Sequence, residues 1–388
     1  MATVVLYVLV AFILVLAPST FSELFTGDKC TRDNDQPGVC KPMYDCPAAQ
    51  NELKLGKSPT ICSFQGFAPV VCCPLPPVTH TTTSPRPKPV GKPGDKAAKM
   101  CQEYAEAVWR YENAPTLQIG AKPIKTDLCF SSSKPLIIGG EKAKAKEFPH
   151  MALIGYGEAN DIAWWCGGSL ISPRWVMTAA HCMRARSKGD ARWVRVGDLN
   201  IKETTDKVEP QEAEVIERVP HPNYKPPASY NDIALLKLDR DLELNEFVRP
   251  ACVHREFDIG DTDGIATGWG RTFWADSDGS DHLMKVTLPL QPTEACNVSY
   301  KSLITTSRLK NGITEDSMVC AGRMEGTKDT CKGDSGGPLQ LLMTQPYCMY
   351  DVFGITSFGK SVCGAKNSPA VYTRVSNYIS WIEKTVWP

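Results

Sequence analysis

Neither sign of charge predominates in the chain: 43 basic residues stand against 43 acidic ones. No global field therefore draws it to nucleic acid or to an anionic membrane. Long apolar runs are scarce as well. After residue 17 none approaches the ~20 residues that a membrane helix needs. Residues 4–17 are nearly all aliphatic or aromatic, and small residues follow around Pro18, Ser19 and Ser22. That is the length of a signal-peptide core, although no Lys or Arg precedes it. Residues 1–22 read as a signal peptide, the mature chain beginning near Glu23. No His-Glu-x-x-His pair occurs, so the zinc-protease pattern is missing. Aromatic content of 9% and hydrophobic content of 42% are ordinary and exclude wholesale disorder.

Cysteine is abundant, at 16 in 388 residues. An even, high count argues for an oxidising, extracellular setting. Cys30, Cys40, Cys46, Cys62, Cys72 and Cys73 crowd into residues 29–74, a segment too small to bury a sufficient core without cross-links. The segment has no His, which counts against a zinc knuckle. Sequence alone does not choose among the pairings, but adjacent Cys72 and Cys73 should face apart and reach different partners. From Pro74 the chain turns rich in Pro, Thr and Lys, as expected of an extended spacer. Residues 75–136 read as a linker and pro-region, with a short helix over 97–111 carrying Cys101. Beyond residue 137, short runs of Val, Ile, Leu and aromatics recur at 151–156, 193–196, 213–219, 233–238, 285–290, 352–358 and 370–375. Gly, Pro, Asn and Asp clusters separate them, which favours an all-β sandwich or barrel over βαβ units. The apolar spacing of Tyr378, Ile379, Trp381 and Ile382 predicts a C-terminal helix.

Three segments carry chemistry: Thr178-Ala179-Ala180-His181-Cys182, Asn231-Asp232-Ile233-Ala234 and Gly333-Asp334-Ser335-Gly336-Gly337-Pro338. A nucleophilic serine needs a base, and that histidine needs a carboxylate to fix its tautomer. His181, Asp232 and Ser335 supply these groups. The third segment also fits the Gly-x-Ser-x-Gly elbow of α/β-hydrolases, but that fold places its histidine after the serine. Here all six histidines, His80, His150, His181, His221, His254 and His282, precede Ser335. The order His, Asp, Ser is that of chymotrypsin. Each segment alone has an ordinary structural explanation, such as a turn or a strand cap; their conjunction in this order does not.

Together with Ile137-Ile138-Gly139-Gly140, Cys166-Gly167-Gly168-Ser169-Leu170, Gly268-Trp269-Gly270 and Pro369-Ala370-Val371-Tyr372, these segments make residues 137–388 resemble a chymotrypsin-family, trypsin-like serine protease domain. The six-cysteine module followed by a spacer resembles the clip domain of arthropod zymogens. The whole chain is similar to clip-domain serine proteases, in particular to the subgroup that includes Snake-type proteases, activated after Leu.

The resemblance implies two antiparallel six-stranded β-barrels with a C-terminal helix, behind a small disulfide-rich domain. Ser335 would be the nucleophile, His181 general base and then acid, and Asp232 the orienting carboxylate. The amides of Gly333 and Ser335 would form the oxyanion hole. Asp329 would sit at the base of the substrate pocket and select Arg or Lys, with walls from Ser357, Gly359 and Ala370. Ala370 stands where trypsin-like members commonly have Gly, which narrows the pocket. Activation would cut between Leu136 and Ile137, and the new ammonium would pair with Asp334. A protease preferring large apolar residues would make that cut, so the chain would not readily activate itself.

The implied disulfides are Cys30–Cys72, Cys40–Cys62, Cys46–Cys73, Cys166–Cys182, Cys296–Cys320, Cys331–Cys363 and Cys129–Cys252. Cys101–Cys348 follows by elimination, and an exchange among the last four cysteines is the rival. Asn297-Val298-Ser299 is a glycosylation sequon. No cofactor is required. In this family a calcium ion can occupy the loop after Gly197, for which Asp198, Glu203, Asp206 and Glu209 are candidate ligands, though acids in a loop are more often simply solvated. The implied role is in an extracellular cascade of haemolymph or an equivalent fluid, serving innate immunity, melanisation, Toll-type signalling or embryonic patterning. Its partners would be an upstream activating protease, a downstream clip-domain zymogen and a serpin. The alternatives are a venom or digestive protease, and a non-catalytic homologue acting as a binding cofactor.

Overall fold

In the computed structural model, the described residues are 24, 26–32, 36–65, 68–74, 92–112, 123–129, 140–203, 205, 208–260, 262–271, 279–304, 306–326, 333–360 and 366–388. The signal peptide, most of the linker, the Leu136 and Ile137 activation bond, Asp206, Asp329, Cys331 and Cys363 lie outside them. The chain divides into two compact units, residues 1–88 and 89–388.

The first unit is a four-stranded antiparallel sheet in the order Lys29–Thr31, Pro37–Pro42, Ala68–Pro74, Ile61–Gln65. A helix over Pro47–Lys54 begins with Pro, which suits the first helical position because its missing N–H has no partner to lose there. Cys72 and Cys73 are consecutive on one strand, so their side chains leave opposite faces. Cys72 joins Cys30 beside Val70, while Cys73 joins Cys46 beside Val71 and Ala49. Cys40 pairs with Cys62. Each face thus has its own small cross-linked cluster.

The second unit holds two β-barrels. One sheet runs Arg184–Ala185, Gly189–Val196, Gln211–Pro220, Ala234–Leu238, Trp175–Thr178, Ala163–Ser172, Met151–Tyr156, and Gly189–Val196 also pairs with Met151–Tyr156 to close a six-strand ring. Inward-facing Ile154, Leu170, Val176, Val194, Val196 and Leu236 are fully buried. The second sheet runs Leu290–Gln291, Met318–Ala321, Ala370–Arg374, Tyr350–Phe358, Pro338–Leu342, Gly264–Gly268, Met284–Leu288 and Glu141–Lys142. Met284–Leu288 and Leu290–Gln291 are one run interrupted at Pro289, so this sheet also returns on itself with six strands. Leu288, Leu339, Phe353 and Tyr372 fill it. At ~1.5–3 kcal/mol for each large apolar side chain buried, such interiors outweigh any local propensity. The helix Ile379–Val386 follows a short 3-10 turn and buries Ile379, Ile382 and Val386. The two-barrel architecture with a C-terminal helix is as the sequence implies.

Two expectations need correction. Within the linker and pro-region, residues 92–112 and 123–129 form the helix Asp95–Ala105 and a pairing of Trp109–Glu112 with Ile124–Asp127 in the second unit. The helix is therefore shorter than 97–111. The cysteine pairing is also exchanged. The helix packs beside the strand Cys252–Val253 and joins Cys101 to Cys252 at a Cα separation of 5.0 Å. The strand pair delivers Cys129 to Cys348 at 5.9 Å, guided by Trp109 stacked on Tyr347 and by the Tyr347 hydroxyl donating to Asp127 Oδ2 at 2.9 Å. Cys101–Cys348 and Cys129–Cys252 are not formed. Lys96 Nζ on the Pro388 carbonyl at 3.0 Å, and the Ala97 N–H on Glu383 Oε1 at 2.9 Å, fasten the helix to the chain's C-terminal end.

Candidate active site

His181 lies on a 3-10 turn, Ala180–Met183, at the end of the strand Trp175–Thr178, and its neighbour Cys182 is bonded to Cys166 on the adjacent strand. Asp232 heads the strand Ala234–Leu238, after Asn231, whose φ of 56° is a left-handed conformation that Asn tolerates. The turn thus faces the carboxylate squarely. The His181 N–H donates to Asp232 Oδ1 at 2.9 Å and the ring Nδ1 to Oδ2 at 2.8 Å. From the second barrel, the Ser357 hydroxyl donates to the same Oδ2 at 2.5 Å, and Thr373 Oγ1 donates to the Asp232 carbonyl at 2.9 Å.

The Asp232 side chain is only 4% exposed. Burial alone would push its carboxyl up, but the charge of His181 and the hydrogen bonds from His181 and Ser357 prevail and hold it below the usual carboxylate range. Burial likewise disfavours the charged form of His181, yet the Asp232 charge and hydrogen bond outweigh it and raise the imidazole. The result is a histidine fixed with its proton on Nδ1 and Nε2 turned to solvent chemistry, beside a carboxylate that stays ionised.

Ser335 sits in the turn before the strand Pro338–Leu342. Its carbonyl accepts the Gly167 N–H at 2.8 Å and lies 3.6 Å from Cys182 Sγ, which places the turn against the His181 segment. Gly336 must be glycine: its φ is 79°, and a Cβ there would stand 2.1 Å from Thr178 Oγ1. Gly333 has φ 104°, with Gly270 Cα 2.8 Å from where a Cβ would be. Among the described residues the amides of Gly333 and Ser335 donate to nothing in the chain, which leaves them for a ligand oxygen. Asp334 Oδ1 accepts the Gly270 N–H at 2.8 Å, beneath Gly268 and Gly270, whose missing side chains make the room.

Of the remaining sequence-derived residues, Ser357 and Ala370 are buried, and Gly359 borders open space. Ala370 lies in the second barrel's core cluster. The Asn297 amide is engaged at both ends with the backbone of Ile313, its Oδ1 accepting at 2.8 Å and its Nδ2 donating at 3.3 Å. Of the calcium candidates, Asp198 is paired with Arg195 at 3.0 Å, Glu203 bonds Asn200 and Thr205, and Asp206 lies outside the described residues. Among the described residues, the two Cys/His groups close enough to hold a metal, Cys30 with Cys40 and Cys62, and His181 with Cys166 and Cys182, consist of disulfide sulfurs apart from the histidine. Sequence reading missed the Ser357 hydroxyl as a donor to Asp232; it assigned that residue to a pocket wall alone, and no motif links the two positions.

A buried Asp–His pair, a serine on a glycine turn against it and free amides beside that serine, all at the junction of two β-barrels, define a serine endopeptidase. The Trypsin family profile matches residues 137–382. The chain is similar to "Serine protease snk" of Drosophila melanogaster, 38% identical over 94% of this chain and 80% of the relative. It is also similar to "Venom serine protease Bi-VSP" of Bombus ignitus, 30% identical over 91% of each, and to "Phenoloxidase-activating factor 3" of Holotrichia diomphalia, 36% identical over 69% of this chain and 76% of the relative. The chain belongs to the trypsin family, as an arthropod clip-domain serine protease. No helix among the described residues is long and apolar enough to cross a membrane.

Proposed function

We propose that the chain is a secreted zymogen which, once cut between Leu136 and Ile137, hydrolyses peptide bonds after Arg or Lys and activates a further clip-domain zymogen in an extracellular cascade. The observation that carries the reading is the His181–Asp232 pair: Nδ1 is committed at 2.8 Å, so Nε2 is the free base. His181 Nε2 takes the Ser335 Oγ proton as the oxygen attacks the scissile carbonyl carbon. The resulting oxyanion receives the N–H groups of Gly333 and Ser335, a single such donor contributing roughly 3–4 kcal/mol to the transition state. His181 then hands the proton to the leaving amine, the C–N bond breaks, and water repeats the sequence on the acyl-enzyme. Asp232 keeps its charge throughout and stabilises the imidazolium.

Asp329, six residues before Ser335, supplies the charge for an Arg or Lys side chain; an unpaired buried charge would disfavour neutral residues. Leu136 before the cut separates the specificity of the activator from that of the enzyme, as suits a middle step. The test measures rates on Arg-ended and Phe-ended peptide amides before and after treatment with a chymotrypsin-like protease. Arg-directed activity that appears only after the cut supports the reading. Absence of activity after a cut shown to expose Ile137 refutes it.

A further inference from the structure

A cleft of about 770 Å³ opens beside His181. Its walls include Tyr224, Ser357 and Phe358, together with two arginines, Arg186 and Arg308. The carboxylate in the lining, Asp232, is buried and committed to His181 and Ser357. Both arginines are exposed, and among the described residues neither guanidinium has a carboxylate or carbonyl partner. Several other arginines of this unit are occupied: Arg192 by Glu158 and Glu214, Arg195 by Asp198 and Glu212, and Arg374 by the carbonyls of Glu315 and Phe257. The Arg308 backbone is fastened to the facing loop, its carbonyl accepting the Ser229 N–H at 3.0 Å, which sets the root of its side chain at the cleft. Two unpaired positive charges thus share one cleft with the catalytic base.

We propose that this cleft selects an acidic side chain in the substrate, with Arg186 and Arg308 as its specificity-determining residues. The proposal rests on the protease reading above. The cleft shares Ser357 with the wall assigned to the specificity pocket, so the residues that enter it precede the scissile bond. Side chains of an extended peptide alternate in direction. The residue next to the cut fills the pocket, and therefore the second and fourth residues before the cut face the arginines. Asp or Glu at either place meets a guanidinium; Lys or Arg is repelled.

The full chain, cut between Leu136 and Ile137, is assayed for kcat/KM on peptide amides ending in Arg, with Glu, Gln or Lys at the second or fourth preceding position. Glu is expected to exceed Gln by roughly threefold to tenfold, the size of one or two partly exposed ion pairs. The ratio should fall towards one at ~1 M salt, where screening acts within about 3 Å. Arg186→Glu with Arg308→Glu should invert the order, so that Lys exceeds Gln. Equal rates for Glu and Gln, a preference indifferent to salt and to both substitutions, or a preference confined to residues after the cut would overturn the subsite while leaving the protease intact. Failure to cleave any of the peptides would overturn both readings.

Discussion

Replacing Asp232 by Asn tests the site at its centre. Three donors converge on the two carboxylate oxygens: the His181 N–H on Oδ1, and His181 Nδ1 and Ser357 Oγ on Oδ2. An amide has one acceptor oxygen and one donor group. If the oxygen keeps the His181 backbone N–H, the NH₂ faces Nδ1, and the ring must move its proton to Nε2, where it cannot accept one from Ser335. If the oxygen turns to Nδ1, the NH₂ opposes the His181 N–H in a buried site. Either arrangement disables the base without removing much volume. The expected loss is ~10⁴-fold in kcat, as when an amide takes this place in such triads, or about 5.4 kcal/mol at 1.36 kcal/mol per tenfold. The pH profile adds a second reading. Neutral His181 is the active form, and its pKa is raised by Asp232. The native rate is therefore full above that raised value and lost as pH falls through it. With the charge gone, burial dominates and the acid limb should move to lower pH. Initial rates on an Arg-ended amide, normalised to titrated active sites across pH 5–9, measure both (~5–9 spans the ordinary histidine range). A variant that keeps more than about a tenth of kcat, on the scale set for such triads, or an acid limb that stays in place, would refute the assignment.

The exchanged disulfides predict that Cys101→Ser with Cys252→Ser leaves no free thiol, because both members of one bridge are removed together. Two titratable thiols in the denatured, unreduced variant would show the other pairing. The buried pair of Lys285 and Glu147, 7% and 2% exposed and 2.6 Å apart, predicts that Lys285→Met costs roughly 3–5 kcal/mol by stranding the carboxylate. At ~2–4 °C per kcal/mol, Tm should fall by about 6–20 °C. Adding Glu147→Gln should recover part of the loss in a thermal melt; a double variant as unstable as the summed singles would count against the pair.

Much of the site was legible because its chemistry is written in short segments. His181, Asp232 and Ser335 each sit in a run whose neighbours, Cys182, Ile233 and Gly336, have structural reasons to be there. The barrel strands showed through the recurrence of apolar runs, and the observed strand ends lie within a few residues of those expected. What stayed hidden depends on contacts between distant parts of the chain. Cys101 lies 151 residues from Cys252, and Cys129 lies 219 from Cys348, so spacing carries no information about which meets which. The apolar spacing of the helix before Ala105 runs on into Trp109 and Tyr111, but those residues are strand because Ile124–Asp127 pairs with them. The Ser357 hydroxyl is ordinary in sequence and acquires its role only when the second barrel sets it over Asp232.

That last arrangement has a consequence for how the site comes into being. His181 and Asp232 hang from one barrel; Ser335 and Ser357 hang from the other. Neither barrel, however well folded, contains a protease. Competence belongs to the seam, so a half-folded chain carries no assembled site. Catalysis in this molecule requires a coincidence: two barrels must both be folded and be brought into register.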